Sequence, residues 1–217
     1  MSPSRAPRRS ADEHISRVRQ LLEEGSAVHN TLARGPVEVI VRVANAMADA
    51  LRSGRKIIWF GNGGSATQSQ HMAAEFVGRF CHDRRALPSL SLTENMASVT
   101  AIANDYDYER IFSRQLEALS QPGDVAVGLS TSGSSRNVLA GLRRAKELGV
   151  TTVALTRDGQ TPMKSLANFC ICVPSTVTAR IQEAHLTIGH ILCELVEERV
   201  IGGKATPARR ASSRPTA

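Results

Sequence analysis

The sequence predicts an α/β fold: a five-stranded parallel sheet flanked by helices, with an N-terminal helical pair placed before it. Three observations carry that prediction. From residue 56 onward, short apolar runs alternate with stretches of helical periodicity, the pattern of βαβ units. The short runs are apolar throughout, as strands covered on both faces must be. And 217 residues suffice to bury a core without a disulfide or a structural metal.

Each element follows in order. Residues 11–24 place Ile15, Val18, Leu21 and Leu22 at helical spacing, and Gly25-Ser26 is expected to break that helix. Pro36 opens a second helix, whose stripe of Val37, Ile40, Val41, Val43, Ala44, Met47 and Leu51 ends near Gly54. Strands are predicted at 56–60 (KIIWF), 87–92 (LPSLSL), 124–130 (DVAVGLS), 150–156 (VTTVALT) and 169–173 (FCICV), the last ended by Pro174. Between them, helices are predicted at 65–82, 135–148 and 179–200. Two more, at 94–103 and 108–119, flank a polar corner at Asn104-Asp105.

Composition excludes several functions. No run of 18 apolar residues exists, so no membrane span is expected. The basic N-terminus lacks an apolar segment and does not read as a secretory signal. Cys81, Cys170, Cys172 and Cys193 form no CxxC pair and read as reduced, buried thiols of a cytoplasmic protein. The net charge of +7 lies in the ends of the chain. Residues 1–10 and 204–217 are basic and contain no acid, which leaves 11–203 neutral. These Pro/Ser/Ala/Arg-rich ends are expected to be disordered tails on one domain spanning 11–203. With 4% aromatic residues there is little to stack on bases, so no nucleic-acid partner is expected.

Chemistry concentrates at two strand-to-helix turns. Gly61-Asn62-Gly63-Gly64-Ser65 follows the first strand, and Ser130-Thr131-Ser132-Gly133-Ser134-Ser135 follows the third. Ligands of open parallel sheets bind beyond the carboxyl ends of the strands. Glycine lets the backbone come close, a following helix offers free N–H groups, and hydroxyls add donors without bulk. The combination suits a phosphate monoester. Gly61-x-Gly63-x-x-Ala66 also fits the dinucleotide pattern formally, but that motif wants an acid at the end of the second strand. Asp83 comes before that strand and Glu94 well after it. Further along, His71-x-x-x-Glu75 puts an imidazole and a carboxylate on one helix face. The last helix adds Gln182, His185 and His190. A His, a carboxylate, an amide oxygen and a second His could hold Zn²⁺, or the Glu and His could exchange a proton without metal. Spacing alone chooses neither.

The runs GNGGSA…QHMAAEF, TAIANDY, IFSRQLEAL, GDVAVGLSTSGSSRNV, VALT and ARIQEAHLTIGHILCELVE resemble the phosphoheptose isomerases, which have the sugar-isomerase (SIS) fold. The resemblance spans roughly residues 15–202. It implies a homotetramer with active sites between subunits and conversion of sedoheptulose 7-phosphate to D-glycero-D-manno-heptose 7-phosphate. By position, Ser65, Ser130, Thr131, Ser132 and Ser135 match the phosphate cradle. Asn62, Gly63, Gly64, Asn104, Asp105 and Gln182 match further substrate contacts. Glu75 and His190 match the catalytic acid/base pair. His71, Glu75, Gln182 and His190 match the set that holds zinc in some members. Non-catalytic relatives, the replication-initiator-associating proteins, share the fold and lack the carboxylate and the last-helix histidine; this chain has both. The family commonly has Asp where this chain has Gln68 and Asn95, and Gly where it has Arg157, and Gln160 interrupts the Gly pair that follows. These departures lie near the expected rim of the site and bear on the substrate more than on the reaction class.

Overall fold

The computed structural model describes residues 10–202, so the expected disordered tails lie outside the described residues except for Ser10. Ser10 belongs to the fold. It caps α1 (Ala11–Ala33), accepting the Glu13 N–H while the Glu13 side chain accepts its own N–H. There follow α2 (Glu38–Arg52), β1 (Ile57–Gly61), α3 (Gly64–Val77), β2 (Ser89–Ser91) and α4 (Met96–Asp105). A 3₁₀ turn (Tyr108–Arg110) leads to α5 (Ser113–Leu119), β3 (Val125–Ser130), α6 (Arg136–Glu147) and β4 (Thr151–Arg157). The chain closes with α7 (Pro162–Leu166), β5 (Phe169–Val173) and α8 (Thr178–Ile201). The five strands pair in the order β2-β1-β3-β4-β5, all parallel.

Alternate strand residues feed two cores. Ile57, Trp59, Val125, Val127, Leu129, Val153 and Leu155 face a layer made by α2, α3 and α8. Ile58, Phe60, Ala126 and Ala154 face the opposite layer of α5, α6 and α7. The second face is built from small residues so that α6 can approach. Added to Gly128 or Gly141, a Cβ would sit 3.2 Å or 2.8 Å from Cε2 of Phe60. The Phe60 ring, which also contacts Phe112 at 5.2 Å, occupies the space those two glycines leave. At the other end of the strands, the buried Asp124 carboxylate accepts the Lys56 and Gln121 N–H groups and pairs with Lys56 Nζ at 2.7 Å.

Several local expectations are corrected. Gly25 does not break α1. It is buried where α1 crosses α8, with a Cβ position only 3.2 Å from the Arg180 guanidinium, and His29 bridges Gly25 O to Thr187 Oγ1. Close helix approach, not a turn, accounts for the glycine. α3 stops at Val77, because residues 78–84 turn away and are tied to α8. Asn104 and Asp105 end α4 rather than forming a corner, and 108–119 divides into a 3₁₀ turn and α5. Of the four cysteines only Cys193 is buried. Cys81 is exposed on the 78–84 segment, and Cys170 and Cys172 are half-buried on β5, an edge strand with one flank unpaired.

Gly141→Ala tests the tight α6 face. Helix propensity would favour alanine by about 1 kcal/mol. Overpacking against Phe60 costs about 1–3 kcal/mol. Overpacking outweighs propensity, and a fall of about 2–4 °C in Tm is expected by calorimetry; an unchanged or raised Tm would show that α6 can shift away freely. A second test concerns His185 on α8, which is 1% exposed and, among the described residues, makes no well-formed hydrogen bond at either ring nitrogen. Burial lowers its pKa from 6.5 to about 4, with the Thr156 backbone opposing. The unfolded chain therefore takes up this proton first as pH falls. The stability His185 confers in its neutral form is complete above pH 6.5 and is lost between 6.5 and about 4, by about 3 kcal/mol in total. His185→Gln should flatten the denaturation free energy over that window; an equal slope in both proteins would refute a neutral buried imidazole.

Candidate active site

The strand order places a topological switch between β1 and β3: the chain leaves β1 into α3 on one face and leaves β3 into α6 on the other. A crevice opens at such a point beyond the strand ends. Both hydroxyl- and glycine-rich turns lie there, and the structure joins them. Asn62 and Asn137 exchange reciprocal carboxamide hydrogen bonds, each 2.8 Å. Tyr108 donates to the same Asn62 oxygen at 3.0 Å, bringing the 3₁₀ turn to the rim. Gly63 caps α3 with φ of 54° and ψ of −123°, a conformation that needs glycine. In the second turn, the Ser130 hydroxyl contacts those of Ser135 and Ser132 at 3.1 and 3.3 Å and accepts the Gly133 N–H. Ser132 Oγ accepts the Ser134 N–H and hydroxyl. Gly133, at φ of 68°, turns this loop tightly over Thr156 and Thr161, whose hydroxyls are buried without partners among the described residues. The result is a compact patch of hydroxyls and amides between two helix N-termini, an environment suited to an oxyanion.

A second cluster is built by α3 and α8. These helices cross so closely that a Cβ at Gly189 would overlap Met72 Sδ. The next residue on α8 and the preceding one on α3 therefore meet: His190 Nε2 lies 3.0 Å from His71 Nε2. His71 Nε2 is in turn 3.3 Å from Glu75 Oε1, one helical turn on. One donor atom from each of the three lies within 4.8 Å of the others. The His71 and Glu75 side chains are 46% and 25% exposed, so the cluster is open to a small molecule. Phe80 stacks on one face of His190, with centroids 5.5 Å apart and planes inclined by 25°.

Behind it lies a buried clamp. Glu197 on α8 is fully buried and accepts the backbone N–H groups of Phe80, Cys81 and His82 and Nε of Arg84, at 2.7 to 3.1 Å. Burial alone would raise this carboxyl's pKa. The three backbone N–H groups and Arg84 outweigh it and hold the pKa below the usual value. The same guanidinium donates to the carbonyls of Glu75, Phe76 and Gly78, and so satisfies the last turn of α3.

Of the expected site residues, the structure brings His71, Glu75 and His190 together, and separately unites Ser130, Ser132 and Ser135. Gln182 packs its carboxamide on Gly64, where a Cβ would stand 2.5 Å from its nitrogen. Among the described residues it makes no side-chain hydrogen bond to the His71–Glu75–His190 cluster. Ser65 is buried beside Gly61, and Thr131 is half-buried on the rim. Asn104 and Asp105 are exposed at the end of α4, hydrogen-bonded to one another at 2.9 Å. Three of the departures from the family pattern have roles here: Gln68 donates to Gln182 O, Asn95 caps α4, and Arg157 Nε reaches Ser132 O at 3.5 Å. Sequence reasoning missed Asn137, Tyr108, Phe80, Arg84 and Glu197. Asn137 is the second residue of α6, directly behind the serine-rich loop, and an Asn at that place was a usable signal. The others carry none, because their partners lie 46 to 117 residues away.

Residues 20–157 match the SIS domain family model. The phosphoheptose isomerase of Aquifex aeolicus is 48% identical over 86% of this chain and 97% of its own. A phosphoheptose isomerase structure from Francisella tularensis superposes with a TM-score of 0.82 at 30% identity, covering 85% of this chain and 98% of that one. Another, from Neisseria gonorrhoeae, gives 0.80 at 35% identity over 84% and 98%. With a switch-point crevice of hydroxyls, an acid–imidazole cluster and likeness over nearly the full length of these relatives, the chain belongs to the phosphoheptose isomerase family of SIS-domain proteins.

Proposed function

We propose that this chain isomerises sedoheptulose 7-phosphate to D-glycero-D-manno-heptose 7-phosphate through a cis-enediol. The observation that carries the reading is the convergence of Glu75 and His190, 115 residues apart in the chain, in one solvent-open cluster with His71. The phosphate is gripped by Ser130, Thr131, Ser132 and Ser135, with Ser65 and the amides of Gly63 and Gly64 at the neighbouring turn. Asn62 and Gln182 orient the sugar chain from the crevice walls, with Asn104 and Asp105 at its rim. The Glu75 carboxylate takes a proton from C1, beside the C2 carbonyl. His190 gives a proton to O2 and removes the one on O1. Glu75 then returns its proton to C2, which leaves the aldehyde at C1. Steps of this kind contribute about 10²–10⁴-fold each. A non-catalytic sugar-phosphate-binding or initiator-associating role is not favoured, because it gives this acid and imidazole nothing to do.

The same cluster suits zinc. Two imidazole nitrogens and a carboxylate oxygen facing one another are a donor set zinc accepts, and Gln182 is the fourth candidate. Held there, zinc would polarise the substrate oxygens. The residues' own acid–base roles do not depend on it.

The active form is an assembly of copies, a homotetramer, with each site shared between subunits. Glu75 lies three turns beyond Gly64 on α3, about 16 Å along the axis, which one extended sugar phosphate does not comfortably span. Ile15, Val18 and Leu22, exposed at helical spacing on α1, offer an apolar surface for such assembly. A cytoplasmic location, where phosphorylated sugars are made and used, completes the reading.

Incubation with sedoheptulose 7-phosphate, followed by NMR, should show the aldose. Glu75→Gln should stay folded and lose turnover by at least about 10²-fold; near-normal turnover would displace Glu75 as the base. Ser132→Ala should act mainly by raising KM. Co-expression of Glu75→Gln with Ser132→Glu should restore activity that neither has alone, because mixed assemblies regain intact sites; no restoration would place each site within one chain. Protein purified without chelator should contain stoichiometric zinc that His71→Ala reduces. Full activity with no metal in either would end the zinc reading.

A further inference from the structure

We propose that Phe80 and Glu197 are positioning residues for His190. The inference rests on the reading of His190 as the group that moves protons at the substrate oxygens. His190 and Glu197 are seven residues apart on α8 and so share a helix face. Both engage the segment that follows α3. Glu197 binds three consecutive backbone N–H groups of that segment, those of Phe80, Cys81 and His82. This leaves the segment one placement relative to α8, and in that placement the Phe80 ring lies on His190.

The imidazole is then held from two sides. Phe80 stacks against one face in the offset geometry that aromatic pairs prefer. His71 meets its edge, with ring centroids 5.3 Å apart and planes inclined by 62°. Without the stack, rotation of the His190 ring would carry Nε2 away from His71 and Glu75. Arg84 ties the arrangement to the acid. It pairs with Glu197 at 2.7 Å and donates to the backbone carbonyl of Glu75, so one buried ion pair sets the main chain on both sides of the cluster. The 78–84 segment, which looks like a plain connection to β2, thereby becomes the part that aligns acid with imidazole.

The test compares Phe80→Leu, Phe80→Tyr and Glu197→Gln in the full-length protein, with the His190 ring resonances followed by NMR beside steady-state kinetics. Displacing a reacting group by about an ångström costs on the order of 10²-fold. Phe80→Leu should therefore lower kcat by about 10–100-fold and leave KM within about twofold, because the phosphate cradle is untouched. Its His190 ring protons should move downfield as the stacked ring's shielding is lost. Phe80→Tyr keeps the stack and should restore both readouts. Glu197→Gln, measured well below its Tm, should shift the His190 resonances as Phe80→Leu does. A folded Phe80→Leu protein with unchanged His190 resonances, or one whose defect lies wholly in KM, overturns the proposal. If the wild type turned over no heptose phosphate, the reaction assigned above would fall, and the resonances would still decide the positioning.

Discussion

The close crossing of α3 over α8 is the constraint on which the acid–base cluster depends. Two helices normally pack about 8–10 Å apart, a separation set by the side chains between them. Here Gly189 supplies no side chain and Met72 fills the gap, so the helices approach until the residues flanking that pair face each other. His71 and His190 are those flanking residues, and Glu75 reaches the same place by lying one turn after His71. No other element needs to reach in to form the cluster. The remaining structure keeps the crossing in place: Leu192, Val196 and Ile188 of α8 and Met72, Ala73 and Phe76 of α3 are all buried in one core against the sheet.

The oxyanion crevice has a different origin. It is a property of strand order. Because β1 and β3 are neighbours whose helices leave to opposite faces, their turns are side by side at the carboxyl ends of the strands. The Asn62–Asn137 pair then locks one turn to the other with two hydrogen bonds that use both groups of each carboxamide. Buried donors and acceptors left unpaired cost about 1–3 kcal/mol each, so this reciprocal pairing also makes the relative position of the turns specific. Binding at the crevice and proton transfer at the helix crossing thus rest on separate pieces of packing. They are linked through the length of α3 and through Gln182, which packs on Gly64 and accepts a hydrogen bond from Gln68 at its backbone carbonyl.

The Arg84–Glu197 pair shows what it takes to bury charge near such a site. An isolated buried carboxylate would be expelled or protonated, and removing one partner of a buried pair costs about 3–5 kcal/mol. Glu197 avoids that with four hydrogen bonds, and Arg84 with four backbone carbonyls besides. This polar knot replaces secondary structure where α3 ends and the chain must return to β2. His185 follows the opposite rule. Among the described residues it makes no well-formed hydrogen bond at either ring nitrogen, and burial outweighs the opposing Thr156 backbone, so it is buried in its neutral form.

Much of this was legible in the sequence, because periodicity is a local property. All five strands could be placed by their apolar runs, the two turns stood out by composition, and His71 and Glu75 share a face by spacing alone. His190, by contrast, lies in an apolar run with Ile188, Ile191, Leu192 and Leu195, where a lone histidine is more often a core residue than a ligand. Only the crossing of α3 and α8 puts it beside His71. Gly25 misled for the same reason: a glycine that admits a neighbouring helix and one that ends its own helix look identical until the neighbour is known. Tyr108, Phe80, Arg84 and Glu197 remained silent because each acts through a partner far along the chain. The order of amino acids thus determined which segments curl, which extend and where an anion could sit. Which acid meets which imidazole was decided by the tertiary structure, since that depends on how closely two distant helices approach.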